Sequence, residues 1–162
     1  MITIRRIQVE EIELYKQIRL RSLQEAPYAF SSTYESALRR SAESWREQVA
    51  RSAQGTDRAT FMAFSDDVPI GIAALYRLED QADVGEVLQV WVRPEYRGKN
   101  VARELMDTIF QWARENEFRR VIAGVTDGNA RAKMFYANYG FSVREEPSSS
   151  DSHAVYFVKE VK

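Results

Sequence analysis

The stretch that decides the fold runs from Val84 to Ala102, VGEVLQVWVRPEYRGKNVA. Val84, Val87, Leu88, Val90, Trp91 and Val92 form a near-continuous apolar run closed by Pro94, as in a buried strand. From Val101 the period changes. Val101, Leu105, Ile109 and Trp112 recur at helical spacing, as do Ala102, Met106 and Ala113, so an amphipathic helix follows. The link between them, Arg97-Gly98-Lys99-Asn100-Val101-Ala102, is a small-residue turn. It presents backbone N–H groups at a helix N-terminus, where a phosphate group is well received, and Arg97 and Lys99 add positive charge beside it. It matches neither G-x-x-x-x-G-K-[ST] nor G-x-G-x-x-G. By itself it is equally a plain structural turn.

Upstream of this unit, Ile2, Ile4 and Ile7 suggest a first strand. Ile12, Tyr15, Ile18 and Leu23 suit one face of a helix from Val9 to Glu25, which Pro27 ends. Tyr28 to Tyr34 is polar and aromatic without periodicity, and reads as a loop or short helical turn. Ala42 to Ala53 reads as a helix capped by Ser41 or Ser44, with Trp45 and Val49 on one face. Ala59 to Ser65 and Ile70 to Leu78 form a hairpin across Asp66-Asp67-Val68-Pro69, and Glu79 to Asp83 turns the chain into the central strand. Downstream, Arg119 to Thr126 is a strand. Asn129 starts a helix that runs to about Tyr139 and ends at Gly140. Phe141 to Arg144 and Ala154 to Val158 close the chain as a strand pair around the loop Pro147 to Ser152.

A second block, Asn129 to Phe141, NARAKMFYANYGF, changes the weight of the turn. Together the two blocks resemble the motifs of the GNAT superfamily, the GCN5-related N-acetyltransferases. The family's acetyl-CoA signature [RQ]-x-x-G-x-[GA] is matched by Arg97, Asn100 and Ala102. Its later block, N-x-x-A-x-x-x-Y-x-x-x-G-F, is matched by Asn129, Ala132, Tyr136, Gly140 and Phe141. Asn100 replaces the first glycine, and asparagine tolerates left-handed backbone better than other non-glycine residues. The resemblance implies an α/β fold in which a mixed, mostly antiparallel sheet is flanked by about four helices, with residues 1–162 as one domain.

The resemblance also implies a site. In the family two central strands splay apart and the thioester arm of acetyl-CoA enters between them; here these are the strands ending at Val92 and at Thr126. Backbone groups of Val90, Trp91 and Val92 would meet the pantetheine, one N–H, that of Val90, would stabilise the oxyanion, and Arg97, Gly98, Lys99, Asn100, Val101 and Ala102 would hold the pyrophosphate. Glu86 stands where many members carry the acid that deprotonates the amine, and is equally an outward strand residue. Tyr136 is the implied acid for the departing thiolate; its alternative is aromatic packing like that of Phe135 or Tyr139. Tyr136 follows Asn129 by about two turns, on the same helix face, and Asn129 serves as a helix cap, a coenzyme ligand or both. Tyr28, Phe30 and Tyr34 are candidates to wall the acceptor pocket. Arg103, Arg131 and Lys133 either approach the coenzyme 3′-phosphate or are simply solvated.

Composition narrows the alternatives. The chain has 162 residues, 44% hydrophobic and 29% charged, and a net charge of −1. That length suits a core burying ~70% of the unfolded chain's surface, and the near-neutral charge argues against nucleic-acid binding. No 18-residue apolar run and no signal-peptide pattern occur, so a cytoplasmic, non-membrane protein is expected. With no cysteine there is no disulfide, thiolate metal site or cysteine nucleophile; His153, the lone histidine, reads as a solvent-facing strand residue, and no metal is expected. The resulting expectation is direct transfer from acetyl-CoA, as co-substrate, to a primary amine in a ternary complex. A catalytically silent acyl-CoA sensor and an O-acyltransferase are the rivals. The acceptor stays open among polyamine, amino acid, antibiotic, protein N-terminus and lysine, and a homodimer is compatible with the sequence.

Overall fold

Apolar residues at alternate positions give the first strand, β1 (Ile2–Arg6), which is followed by α1 (Ile12–Glu25), α2 (Tyr34–Leu38) and α3 (Ala42–Ala53). The hairpin β2 (Arg58–Ser65) and β3 (Val68–Arg77) leads to β4 (Val84–Val92), α4 (Val101–Glu115) and β5 (Arg120–Thr126). The chain then forms α5 (Ala130–Tyr139), β6 (Ser142–Val143) and β7 (Ala154–Glu160). This is a computed structural model that describes residues 1–27, 30, 32–144 and 154–161. Tyr28, the loop Pro147 to Ser152 and His153 lie outside the described residues.

Among the described residues the seven strands make one sheet, ordered β1-β2-β3-β4-β5-β7-β6. Every pair is antiparallel except β4 with β5, which are joined by the α4 crossover and run parallel. This is the mixed, mostly antiparallel sheet expected, with a fifth helix beyond the four. That extra helix is α2, one short stretch that begins where Thr33 accepts a hydrogen bond from the Ser36 N–H at 3.1 Å. The hairpin turn is also tighter than expected. Ser65 pairs with Val68, so Val68 and Pro69 are already strand, and Asp66 takes the left-handed conformation (φ 56°) that a two-residue turn needs.

Two hydrophobic layers hold the sheet. On one face α4 buries Val101, Leu105, Met106, Ile109, Phe110 and Trp112 against Phe61, Ala73, Val87 and Val121. Each such aliphatic or aromatic side chain contributes about 1.5–3 kcal/mol on burial. On the other face Tyr15, Ile18 and Leu23 of α1, with Trp45 and Val49 of α3, cover Met62, Ile72 and Trp91. The period-3.6 stripe and the period-2 strands therefore agree on which residues face inward, which is what makes the layering unique. No helix among the described residues is long and apolar enough to cross a membrane.

Candidate active site

The central irregularity of the sheet lies in β4. Opposite β3, Leu88 pairs with Ala74 and Trp91 with Ile72, so Gln89 and Val90 together face Ala73. The extra residue is a β-bulge, and Gln89 takes φ 61° to make it. On its other edge β4 pairs with β5 only from Val84↔Arg120 to Val87↔Ala123. Beyond that point the strands part, and β5 continues against β7 through Gly124, Val125 and Thr126. The N–H of Arg93 donates to Ile70 O of β3 at 2.8 Å. Strand alternation therefore turns the backbone groups of Val92 away from β3, where its carbonyl accepts from Arg97 Nε at 2.9 Å.

A cleft of about 800 Å³ fills this opening. Its walls include Glu86, Val90, Trp91 and Val92 of β4, Gly124 to Thr126 of β5, and Asn129, Ala132 and Tyr136 from α5 and its start. At one end it reaches Arg97, Gly98, Asn100, Val101 and Ala102. Gly98 (φ 82°) and Asn100 (φ 67°) are both left-handed, a backbone course that turns successive N–H groups into a concavity suited to anions. The N-cap of α4 is Asn100, whose side chain makes no capping bond. By contrast, Asn129 caps α5 by accepting from the Ala132 N–H at 3.2 Å. The first N–H groups of α4 are thus left without a side-chain cap where the cleft meets the helix.

Not every candidate side chain behaves alike. The Arg97 guanidinium turns away from the loop it belongs to. Its Nε donates to Val92 O at 2.9 Å and its Nη2 to Glu25 Oε1 at 2.8 Å, and the same Glu25 oxygen accepts from Trp91 Nε1 at 2.8 Å. Desolvation pushes the Glu25 carboxyl up, but these two donors outweigh it and hold it below its ordinary value. Lys99 lies over the Tyr96 ring at 5.6 Å and is not part of the cleft wall. Lys133 pairs with Asp127 at 3.0 Å, and Arg103 lies over Tyr139 at 5.3 Å. Phe30 lines the cleft, whereas Tyr34, the first residue of α2, packs against the α1–α3 core instead.

Glu86 is half-buried in the cleft wall, and desolvation alone raises its pKa. No described side chain bonds or pairs with its carboxylate. The Tyr136 ring is sandwiched among Phe135, Phe141 and Phe157 at centroid distances of 5.3, 5.2 and 6.0 Å. Its hydroxyl bonds to no described residue, and burial pushes its pKa up, so the phenol keeps its proton.

Three residues of the site were not singled out from the sequence. Arg19 of α1 lines the cleft yet is 7% exposed. Gln89 accepts from Tyr15 Oη at 2.9 Å and belongs to a polar set with Gln48 and Tyr76. Glu25 is the brace described above. Gln89 was visible as a polar residue within an apolar run; Arg19 and Glu25, as charged helix residues, carried no such signal.

The relatives agree with this architecture. Residues 19–141 match the model of the acetyltransferase (GNAT) family. The chain is 30% identical to an N-acetyltransferase 9-like protein of Caenorhabditis briggsae, over 61% of this chain and 53% of that protein. It is 36% identical to an uncharacterised N-acetyltransferase of Mycobacterium tuberculosis, over 53% of this chain and 54% of that one. The chain therefore spans about half the length of these curated relatives. In fold it resembles a GNAT-family acetyltransferase of Streptococcus pneumoniae, with TM-score 0.81 and 16% identity over 99% of this chain and 100% of that one. It also resembles the PaiA N-acetyltransferase of Thermoplasma acidophilum, solved with coenzyme A, with TM-score 0.76 and 21% identity over 99% of each chain. With the family model covering most of the sequence, and the parted strands, left-handed loop and capped α5 falling inside it, the chain belongs to the GNAT acetyltransferase family.

Proposed function

We propose that the chain transfers the acetyl group of acetyl-CoA directly to a primary amine, with both substrates bound together. The observation that carries this is the end of β4–β5 pairing at Val87 and Ala123. It leaves a peptide-wide opening that runs into the uncapped start of α4. An extended chain rich in amides, with a phosphate group at one end, suits that combination of a free strand edge and helix N–H groups.

Within this arrangement the backbone N–H groups of residues 98–102 hold pyrophosphate, and the free edge of β4 pairs with the pantetheine amides. In this reading the Val90 N–H polarises the thioester carbonyl. An alkylammonium has a pKa near ~10 and must lose a proton before it can attack. Glu86, whose desolvated carboxylate is a stronger base than an exposed one, accepts it directly or through a water. The amine nitrogen bonds to the acyl carbon, and the C–S bond breaks with its electron pair on sulfur. Tyr136 protonates that sulfur. The second amine proton restores the phenol through water, so one proton is released for each amide formed.

The test is a thiol-release assay over a panel of primary amines, run beside a coenzyme-binding titration. Amine-dependent thiol release is expected. Coenzyme binding without release would instead make the chain an acyl-CoA sensor, release with hydroxyl acceptors alone would make it an O-acyltransferase, and no coenzyme binding would overturn the assignment of the cleft.

A further inference from the structure

Arg19, Arg103 and Arg131 are charged residues of the cleft wall that acyl transfer as proposed does not use, and of these Arg19 is the buried one, 7% exposed. It projects from the apolar stripe of α1, on the sheet face that also carries Trp91. Its Nη1 donates to Ser22 Oγ at 3.3 Å, and its guanidinium lies over the Phe30 ring at 4.9 Å. No carboxylate among the described residues pairs with it. Desolvation lowers its pKa, and the nearby Arg40 guanidinium adds to that effect. Arg40 has no ion pair among the described residues either. It spends its donors on Ser44, Nε to Oγ at 2.9 Å and Nη2 to the carbonyl at 3.1 Å, and lies over Trp45 at 4.2 Å.

A largely buried guanidinium that gives one of its five donors to the described residues, with a second positive charge acting on it, is a costly arrangement for a folded chain to keep. A cation–π contact with Phe30 offsets only part of that cost. What repays it best is a bidentate anion, and a carboxylate fits the planar fork.

The position relative to Glu86 gives the geometry. Glu86 pairs in register with Tyr76 of β3, and Arg19 lines the same cleft as Glu86. The hydroxyls of Tyr15 and Tyr76 share Gln48 Nε2 at 2.8 and 2.9 Å, and Tyr15 is tied to Gln89 at 2.9 Å. This fixed polar set lies on the sheet face that Glu86 shares with its pair partner Tyr76, the face α1 covers.

We infer that the acceptor is a small amine that also carries a carboxylate, with its amine at Glu86 and its carboxylate on the Arg19 guanidinium. This rests on the acyl-transfer reading, and the experiment separates the two. Thiol release is measured for matched sets of three acceptors: an amino acid, its primary amide, and the amine lacking the carboxyl group. Wild type is compared with Arg19→Met, which keeps an unbranched stem over Phe30 but loses charge and donors.

In wild type kcat/KM should favour the carboxylate form by ~10–100-fold, the range for a hydrogen bond to a charged group. Arg19→Met should erase that preference through KM, acting most on the carboxylate form, less on the amide and least on the amine lacking the carboxyl group. Equal rates for the three acceptors in wild type would overturn the inference. So would an Arg19→Met that slows all three alike, or one that only lowers the thermal midpoint. Should Arg19→Met fail to fold, Arg19→Gln must show the same loss of selectivity. If no amine supports turnover, acyl transfer fails separately, and calorimetric titration of the coenzyme-saturated protein decides the inference. Carboxylate-selective binding that Arg19→Met abolishes would sustain it; its absence would end it.

Discussion

Replacing Tyr136 with phenylalanine separates chemistry from packing, because it removes one hydroxyl and nothing else. The ring is held by Phe135, Phe141 and Phe157, at 5.2 to 6.0 Å between centroids, and phenylalanine keeps those contacts. A neutral hydrogen bond contributes about 0.5–1.5 kcal/mol to folding, and the Tyr136 hydroxyl makes none with the described residues. Tyr136→Phe should therefore change stability by less than about 0.5 kcal/mol. For a chain of this size 1 kcal/mol moves the midpoint by roughly 2–4 °C, so the expected shift stays below about 2 °C.

The rate should respond quite differently. General acids contribute ~10²–10⁴-fold, and a thiolate, being a good leaving group, needs less help, so we expect kcat to fall ~10–10³-fold. That is about 1.4–4 kcal/mol of barrier. Tyr136→Ala is the contrast. Losing a buried aromatic ring costs about 3–5 kcal/mol, a fall of roughly 6–20 °C. Thiol release at saturating coenzyme and thermal unfolding, followed on the same preparation, give both quantities. A Tyr136→Phe protein with full kcat and a lowered midpoint would refute the acid role and return Tyr136 to the core.

The other perturbations act on the base, the loop and the brace. Glu86→Gln should lower kcat by ~10²–10⁴-fold with coenzyme affinity little changed, and should remove the acidic limb of the pH–rate profile; near-normal turnover would move the base role elsewhere. Because desolvation raises the folded pKa of Glu86, that limb should lie above the position an exposed glutamate would give. The same shift makes ionised Glu86 a burden on folding, absent below the unfolded pKa and imposed as pH rises through the folded one. Glu86→Gln should therefore raise the thermal midpoint at pH 7–8 but not at pH 4, a difference read by paired melts. In the loop, Gly98→Pro removes a donor at φ 82°, a conformation closed to proline, and should weaken coenzyme binding severely, whereas Asn100→Gly should keep or improve it; unchanged binding in Gly98→Pro would sink the loop assignment. Glu25→Ala strands Trp91 Nε1 and frees Arg97, so it should cost about 1–3 kcal/mol in stability and weaken coenzyme binding, while Glu25→Gln, which still offers Trp91 an acceptor, should recover part of both.

What could be read from residues alone was whatever local pattern determines. The helix Ala42–Ala53 and the strand Val84–Val92 have the same limits in the sequence reading and in the structure, since a Ser41 cap and a run closed by proline are local signals. The start of α1 was placed early, at Val9, because Gln8 and Glu11 form a turn there, with Glu11 N donating to Gln8 O at 2.9 Å. Arg19 was passed over for a different reason. It follows Tyr15 by one turn and precedes Ser22 within the buried stripe, but a long charged side chain on a helix is ordinarily solvated, and only the packing of α1 on β4 reveals otherwise. Glu25, Trp91 and Arg97 meet across long sequence separations. No periodicity encodes that.

The bulge at Gln89 links the opening between β4 and β5 to the polar set beneath α1. Without an extra residue Trp91 would share a face with Val87. With it, Trp91 packs in the α1–α3 core while Val87, Val90 and Val92 pack toward α4. The inversion sends two polar tips to α1: Gln89 to the Tyr15 hydroxyl and Trp91 Nε1 to Glu25. A bulge also sharpens local twist, and the pairing of β4 with β5 stops at Val87, just before it. One inserted residue thus sits where the strand edge opens, on the side proposed for the coenzyme, and anchors α1, with Arg19, on the side proposed for the acceptor. Glu25 then passes the same anchor on to Arg97 and the loop at the start of α4. α1 and the loop at the start of α4 are tied together through a single backbone irregularity, so under the proposed reading a change in how α1 sits on β4 reaches both substrates.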